Sequence, residues 1–444
     1  LIIFFRLIIF ALESFYRSRS TKKFSVKNPS NIAEYLNFEA ADLIFKTVYR
    51  RKFISGANIL KTFSETESGK FAFLHLGISA KDFRNSLEQI FPEKGERGDL
   101  SSFLENVFNR TQSKNREEME VSDIISEILE EEKIFRIFFE MKIKKKDIAG
   151  VVEWASIVSQ KLEKVSYWWL EENLVRIQGL AKDWAYGATY LLDRYSRVFS
   201  ENHAVGEHQV LHFTGHQKQV EAIEAVLSRT AQANALLVGE PGVGKRTIVA
   251  GLSNMIDTGK VWPELEFKRL LELDAGSLVA SAKTKGDLEN LIIRLFNDAV
   301  RAGNIIMVID NFSEFLKSAE SLGVSLIQIL SPYLGSSALQ IIAIADSGGF
   351  KRFLESDSSL MQYFEIIRVE EPDSKELFEI LEDVCLEIEG ARGVSVLFQT
   401  IREVVNASTT YLTEGALPER AIDILETASS QITGQGKYIL MPED

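Results

Sequence analysis

Apolar residues recur at intervals of three and four from about residue 30 to 165, the spacing of one buried face of an α-helix. Within this span "ILKTFSETESGKFAFLHLGISAKDF" at 59–83 parallels "IISEILEEEKIFRIFFEMKIKKKDI" at 124–148. The alignment pairs Phe73 with Phe138, Ile78 with Ile143, Lys81 with Lys146 and Asp82 with Asp147. It predicts two copies of a helical unit, each burying the other's apolar face. Chance similarity between amphipathic helices is the competing explanation. Between the copies, 85–121 is polar and charged around one amphipathic piece and reads as a connector.

From residue 218 the pattern changes. Helices alternate with short apolar runs: "ALLVG" (235–239), "LLELDA" (270–275), "IIMVID" (305–310), "LQIIAIAD" (339–346) and "EIIRVE" (365–370). Such alternation predicts a parallel sheet covered by helices. After Pro372 the strand-like runs stop. Successive amphipathic helices follow, the last begun by Pro418 near its first turn. The expected organisation is a helical double-repeat domain at 24–165, an aromatic-rich linker at 166–204 and an α/β subdomain at 205–372. A helical lid at 373–435 and a tail at 436–444 complete it. Trp168, Trp169 and Trp184 in the linker are expected to pack it onto a neighbour.

The opening segment, 1–20, begins "LIIFFRLIIFALESFY" and is apolar there except for Arg6 and Glu13. It is shorter than the roughly 20 residues that cross a bilayer. The chain opens on Leu1, and both ends are expected to be cut. The run therefore reads as the tail of a membrane helix or a helix lying in the interface, with a buried core helix as the alternative. Arg17, Arg19, Lys22 and Lys23 follow it. By the positive-inside bias they place the rest of the chain in the cytoplasm, tethered to the inner face of the membrane.

A net charge of −13 argues against nucleic acid as a partner, because a phosphate polymer needs a basic face. Cys385 is the one cysteine, which excludes an internal disulfide and fits a reducing compartment. Its helical surroundings predict a buried thiol rather than a nucleophile. His203, His208, His212 and His216 crowd together ahead of the first strand, the last three at helical spacing. Gly206, Val210, Thr214 and Gly215 weaken a helix there, and no acidic or thiol ligand completes a metal site.

The chemistry concentrates in "GEPGVGKRT" at 239–247. A strand, a glycine loop and a helix start in that order make a phosphate-binding loop. Gly239, Gly242 and Gly244 let backbone amides converge on phosphates, with Glu240, Pro241 and Val243 completing the turn. Lys245 supplies a point charge for the terminal phosphates. A hydroxyl that ligates magnesium should follow this lysine, and the chain has Arg246. A guanidinium carries only donors and cannot ligate a metal. Thr247 does not replace the hydroxyl, because one helical step turns it about 100° away. Either Arg246 swings outward and magnesium is weakly held, or its charge partly stands in for the metal, which becomes dispensable. Asp310 closes a strand and is the residue able to hold a magnesium-bound water. The next position normally carries a water-activating glutamate. Here it is Asn311, whose amide accepts no proton, and Glu314 falls in the following turn.

On these residues the chain from 205 to 444 resembles the first AAA+ module of the Clp unfoldases, of the ClpB/ClpC type. "LLVGEPGVGK" is similar to that module's nucleotide loop and "FTGHQKQVEAIEAVLSRT" to the segment and helix before it. "LDAGSLVASAKTKGDLE" resembles the strand and first pore loop, "GGFKRFLESDSSLMQYFEIIRVEEP" the stretch ending in trans-acting arginines, and "YLTEGALPERAIDILETA" the lid helix. The resemblance implies an α/β P-loop AAA+ fold with a helical lid behind an all-α repeat domain. It further implies ATP or ADP in the loop, flanked by Phe213 and Thr214 and by Ile380, Leu381 and Pro418 of the lid. A pore loop at Lys283, Thr284, Lys285 and Gly286 is implied as well. So are a hexameric ring of identical subunits, unfolded protein substrates and a partner peptidase.

The departures from that pattern bear on activity. Thr284 stands where an aromatic grips substrate. Gln362 and Tyr363 replace the paired arginines, and Ala345 with Asp346 occupies the polar sensor position. With Arg246 and Asn311, no catalytic position is left intact. One reading is a membrane-tethered unfoldase subunit whose first module binds nucleotide for ring assembly, with "GQGKYILMPED" opening a linker to a second module. The other is a non-enzymatic pseudo-ATPase acting as adaptor or scaffold. An active ATPase here requires both Arg246 and Asn311 to be circumvented.

Overall fold

The computed structural model describes residues 32–51, 54–91, 100–114, 116, 118–141, 143–166, 189–199, 215–336, 338–354, 358–410 and 415–444. They form two compact units. One holds Leu1–Glu163 with Ser395–Thr400 and Tyr438–Asp444, the other Lys164–Val394 with Ile401–Lys437.

The first unit is helical and built from two similar halves. Helices Gly56–Phe63, Glu67–His75 and the one starting at Ala80 recur as Val121–Ile128, Glu132–Glu140 and the one starting at Lys145. Each start is displaced by a constant 65 residues: 56 to 121, 67 to 132 and 80 to 145. This is the offset of the sequence repeat. The starts of the first half are set by side-chain caps. Ser55, Thr66 and Ser79 accept the backbone N–H of Asn58, Gly69 and Asp82, satisfying donors that a helix end leaves open. Phe73 and Phe138, equivalent in the two halves, both pack on Phe83 with ring centroids 4.8 Å away. All three rings are buried. The halves therefore share one aromatic centre, as the repeat predicted.

The second unit is organised by a six-stranded sheet. Its strands are β1 (Ser196–Val198), β2 (Asn234–Gly239), β3 (Arg269–Leu273), β4 (Ile305–Ile309), β5 (Gln340–Asp346) and β6 (Glu365–Arg368), in the spatial order β1-β3-β4-β5-β2-β6. β2 to β6 are parallel, and β1 is an antiparallel edge on β3. Two differences from the sequence reading appear here. The sheet is mixed, and residues 190–198 of the expected linker supply a short helix and its edge strand. "SRV" is too short to show a period-2 pattern, so nothing marked it as a strand.

β2 and β4 are buried along their whole length. Alternate residues feed two cores, as a pleated strand requires. Leu236, Val238, Met307, Ile309, Ile341 and Ala343 face one core. Ala235, Leu237, Ile306, Val308, Ile342 and Ile344 face the other. Helices Lys285–Ala302 and Phe312–Ser321 cover the first face, and Gln217–Leu227 and Lys245–Asp257 the second. Burial on both faces is why these strands read as unbroken apolar runs.

Beyond Asp373, which caps the next helix by accepting the N–H groups of Lys375 and Glu376, come the helices Ser374–Arg392, Phe398–Thr410 and Glu419–Gly434. Cys385 is fully buried in the first of them. Burial, with Glu389 and Glu382 adding to it, pushes its thiol well above the ordinary range, so it is no nucleophile. The closing segment contains β8 (Ile439–Leu440), which pairs in parallel with β7 (Ser395–Val396). Val396 and Leu440 are buried there, which anchors the segment that the resemblance reads as the start of a linker.

Among the described residues no helix is long and apolar enough to cross a membrane. The apolar run at 1–20 and the basic residues after it lie outside the described residues. So do Trp168, Trp169, Trp184, His203, His208, His212, Phe213 and Thr214.

Candidate nucleotide site

The loop Gly239–Lys245 leaves the C-terminal end of β2 and enters helix Lys245–Asp257. Gly242 and Gly244 take φ of 84° and 91°, the left-handed region that only glycine enters freely. Gly242 has a second constraint: a Cβ there would overlap the carboxylate of Glu419. The strand order brings other groups to the same sheet edge. β4 pairs with β5 and β5 with β2, so Asp310 after β4 and Asp346 at the end of β5 flank the loop. Ligands of open α/β sheets bind at such strand ends.

Lys245 turns back onto the loop, donating from Nζ to the carbonyl oxygens of Gly239 (2.9 Å) and Glu240 (2.7 Å). Burial pulls its pKa down, opposed by Asp346, Asp310, Glu240 and Glu419. An ammonium held on backbone carbonyls is a cation available for phosphate.

Arg246 takes neither a fully outward pose nor one on the loop. Its guanidinium makes a bidentate pair with Glu272 of β3, Nη1 to Oε1 at 2.7 Å and Nη2 to Oε2 at 3.1 Å. Nη1 also donates to Asp310 Oδ2. Glu272 sits beside Val308 in the β3–β4 register, which sets it next to the end of β4. The Glu272 hydrogen bonds come first in holding the guanidinium pKa above its ordinary value, with Asp310 adding to them against the cost of burial. The Phe199 ring lies 5.6 Å from the guanidinium carbon. A fixed +1 charge thus occupies the carboxylate that a magnesium site would use. Thr247 is exposed one residue further along the helix. These donors do not fit a magnesium ion: the hydroxyl is missing and Asp310 is already paired. Among the described residues no cluster of three or more His, Cys, Asp or Glu suited to a metal occurs.

Asn311 has φ 48° and donates its backbone N–H to Asp310 Oδ1 at 2.8 Å. Asparagine enters the left-handed region more readily than glutamate, so this backbone suits the residue present. Glu314 is exposed in the first turn of the next helix. Ala345 is buried in the sheet. Asp346 caps the turn after β5, accepting from Gly349 N (2.9 Å) and Ser313 Oγ (3.3 Å). The Gly349 bond leads in holding its carboxyl below the usual range, with Lys245 contributing. Gln362 is exposed and Tyr363 packs against the sheet core, so neither brings a cation.

Three lid residues can be placed. Pro418 precedes helix Glu419–Gly434, whose first N–H meets Gly242 O at 3.4 Å. Leu381 is buried in the lid. Ile380 points to Gly215, where an added Cβ would lie 3.0 Å from its Cδ1. His216 was missed by sequence reasoning, which grouped it with the other histidines. It is 4% exposed and its ring lies against Gly244, while its backbone N–H donates to Glu376 of the lid at 2.5 Å. Burial lowers its pKa, which keeps a neutral ring behind the loop.

Lys283, Thr284, Lys285 and Gly286, where the resemblance implies a pore loop, are all exposed. Thr284 is an N-cap. Its hydroxyl accepts from Asp287 N (3.2 Å), and Asp287 Oδ2 accepts from Thr284 N (3.0 Å). This capping box starts helix Lys285–Ala302, so Thr284 has a structural task. Thr284→Ala should cost about 1 kcal/mol of stability, read from the urea midpoint at unchanged slope.

Comparison with known proteins bears on the fold that carries this loop. The ATPase family associated with various cellular activities (AAA) matches residues 235–367, and the AAA lid domain matches 373–438. Chaperone protein ClpB of Oceanobacillus iheyensis is 32% identical over 219 residues, 49% of this chain and 27% of that protein. ClpC/MecB, the negative regulator of genetic competence of Bacillus subtilis, is also 32% identical over the same shares. The match thus spans about a quarter of either relative's length. The S. cerevisiae Hsp104–ADP complex superposes with a TM-score of 0.51 at 22% identity, covering 57% of this chain and 43% of that one, which shows a shared fold. Residues 235–438 are an AAA domain and its lid, of the kind that builds the Clp-type AAA+ chaperone ATPases.

Proposed function

We propose that this module binds adenine nucleotide as a fixed structural ligand and hydrolyses it little or not at all. The observation that carries the reading is the Arg246 guanidinium paired to both Asp310 and Glu272, where an ATPase would hold its metal. The loop amides and Lys245 remain to grip phosphates, and the lid reaches the loop through Glu419. Nucleotide held between sheet and lid would fix their relative angle and so favour a ring of copies, hexameric as in the family resemblance. Unfolded proteins are the proposed clients, delivered in a reducing compartment, and a peptidase is the proposed partner. The test is size: chain 1–444 with ADP should run as a larger species than chain without it. Identical elution with and without nucleotide, at concentrations that saturate binding, would remove the assembly role.

The capping box at Thr284 favours the second reading, an adaptor or scaffold that holds clients without pulling on them. Residues 24–165 would then be the working surface and the apolar run 1–20 its membrane anchor. The chain should sediment with liposomes, and deletion of 1–20 should release it. Equal solubility of both forms without lipid or detergent would remove the tether.

A further inference from the structure

The two halves of the helical unit part company at the end of their third helix. At the repeat offset Ile90, the last residue of its helix, corresponds to Ala155, yet helix Lys145–Ser166 runs on past that point. Glu153, Ser156, Ile157 and Gln160 share one face of this helix, at spacings of three and four. They form one wall of a cavity of about 380 Å³, a volume within the range of small-ligand sites. The other wall is the segment that leads into helix Val121–Ile128. Met119 is fully buried there, its N–H on Tyr35 O at 2.8 Å and its carbonyl accepting Asn37 N–H at 3.0 Å. Side chains alternate along extended backbone, so Glu118 and Glu120 turn away from Met119 and line the cavity.

Charge in this cavity is unbalanced. Glu118, Glu120 and Glu153 line it with a single cation, Arg116. The guanidinium donates to Glu120 Oε2 at 3.1 Å, to Ser122 Oγ at 3.0 Å and to Glu153. Lys114, the next cation along, is taken by the buried Asp123 at 2.9 Å. Glu118 has no partner among the described residues. Burial comes first in raising the Glu120 carboxyl, and Asp123 and Glu153 add to it against Arg116. A second observation is independent of the carboxylates. Ser156, also part of the lining, is 3% exposed, and its hydroxyl has no hydrogen-bond partner. Buried hydroxyls are seldom left so. The repeat does not require these groups, because Ser55 and Phe91 stand at the positions equivalent to Glu120 and Ser156.

We propose that this cavity binds an organic cation, an alkylammonium or guanidinium group, between Glu118, Glu120 and Glu153 and the Ser156 hydroxyl. Such a group carries several donors, which Glu118 and Ser156 both lack. Its alkyl chain has Ile157, 41% exposed, to lie against. A metal ion fits poorly, since these carboxylates do not gather into a metal-holding cluster and a guanidinium already sits among them. Free polyamines and the basic side chains of polypeptides present the same chemistry.

The experiment is calorimetric titration of chain 1–444 with spermidine, with argininamide and with a capped tri-arginine peptide, using citrulline amide as the neutral control. The cations should bind, more weakly as salt is raised, and citrulline amide should not. Glu118→Gln removes the unpaired charge at a half-buried position and should weaken the cations by about threefold or more, with the urea midpoint unchanged. Ser156→Ala should weaken them by about threefold too, while leaving the chain at least as stable, because the lost hydroxyl had no partner. A peptide about tenfold tighter than argininamide and spermidine would assign the site to polypeptide side chains, and spermidine as tight as the peptide would assign it to free polyamines. Either supports a cation site. No cation bound at about 10 mM, citrulline amide bound as well as argininamide, or binding unchanged in both variants would overturn it.

Discussion

ATP turnover by chain 1–444 should not rise above that of a Lys245→Ala control at any protein concentration that permits assembly. A positioned general base contributes about 10² to 10⁴ in rate, and Asn311 supplies none. A trans-acting arginine contributes about 10³ to 10⁵, and Gln362 and Tyr363 carry no charge. Glu314 is exposed in the next helical turn and does not take over the base position. Asp310 is committed to Arg246 and is not free to orient a water through a metal. The expected rate is therefore at least about 10³-fold below that of a competent module, within the background of a phosphate-release assay. A Lys245-dependent rate would contradict the assignment. Restoring one group should not rescue activity, because residues that act together in catalysis are strongly non-additive.

Much of this was legible in the chain because it is local. The loop reads from contiguous residues, and its glycines, lysine and missing hydroxyl are a matter of order along a few positions. β2, β4 and the middle of β5 stood out because burial on both faces makes each an unbroken apolar run. The repeat was visible because Phe73 and Phe138 must meet the same centre. What could not be read depends on contacts across the fold. Glu272 lies 26 residues from Arg246 and looked like one more polar position in "LLELDA"; only the β3–β4 register brings it to the site. Glu419 is a first-turn acid with no sequence signal for a site, and the folding back of the lid makes it a neighbour of Gly242. His216 failed in another way. Its sequence neighbours suggested a loose histidine cluster, whereas burial behind Gly244 is a tertiary fact.

The fate of Arg246 was also open from sequence, since a long side chain at a helix start has room to point away. Two carboxylates on adjacent strands decide it. The pairing with Glu272 is bidentate, and Glu272 and Asp310 are only 14% and 19% exposed, which fixes the guanidinium's direction although its own side chain is 44% exposed. With Asp310 paired to Arg246, a phosphate arriving at the loop meets less repulsion from that carboxylate than in a module stripped of its metal. Magnesium normally removes that repulsion and takes one ligand from the hydroxyl after the lysine. In the proposed reading a permanent guanidinium takes the first task and nothing remains for the second. Removing the metal should therefore matter little, and Arg246→Thr should make it matter. That variant restores a hydroxyl and frees Asp310 and Glu272, but leaves Asn311, so hydrolysis should stay at background.

The most direct measurement is ADP affinity by calorimetry in excess magnesium and in EDTA, for the parent chain and for Arg246→Thr. The account predicts that chelation weakens ADP binding to the parent by less than about tenfold, or about 1.4 kcal/mol, and weakens the variant by more than that. A loss beyond tenfold in the parent chain, or the same metal dependence in both proteins, would contradict a guanidinium acting in place of the metal.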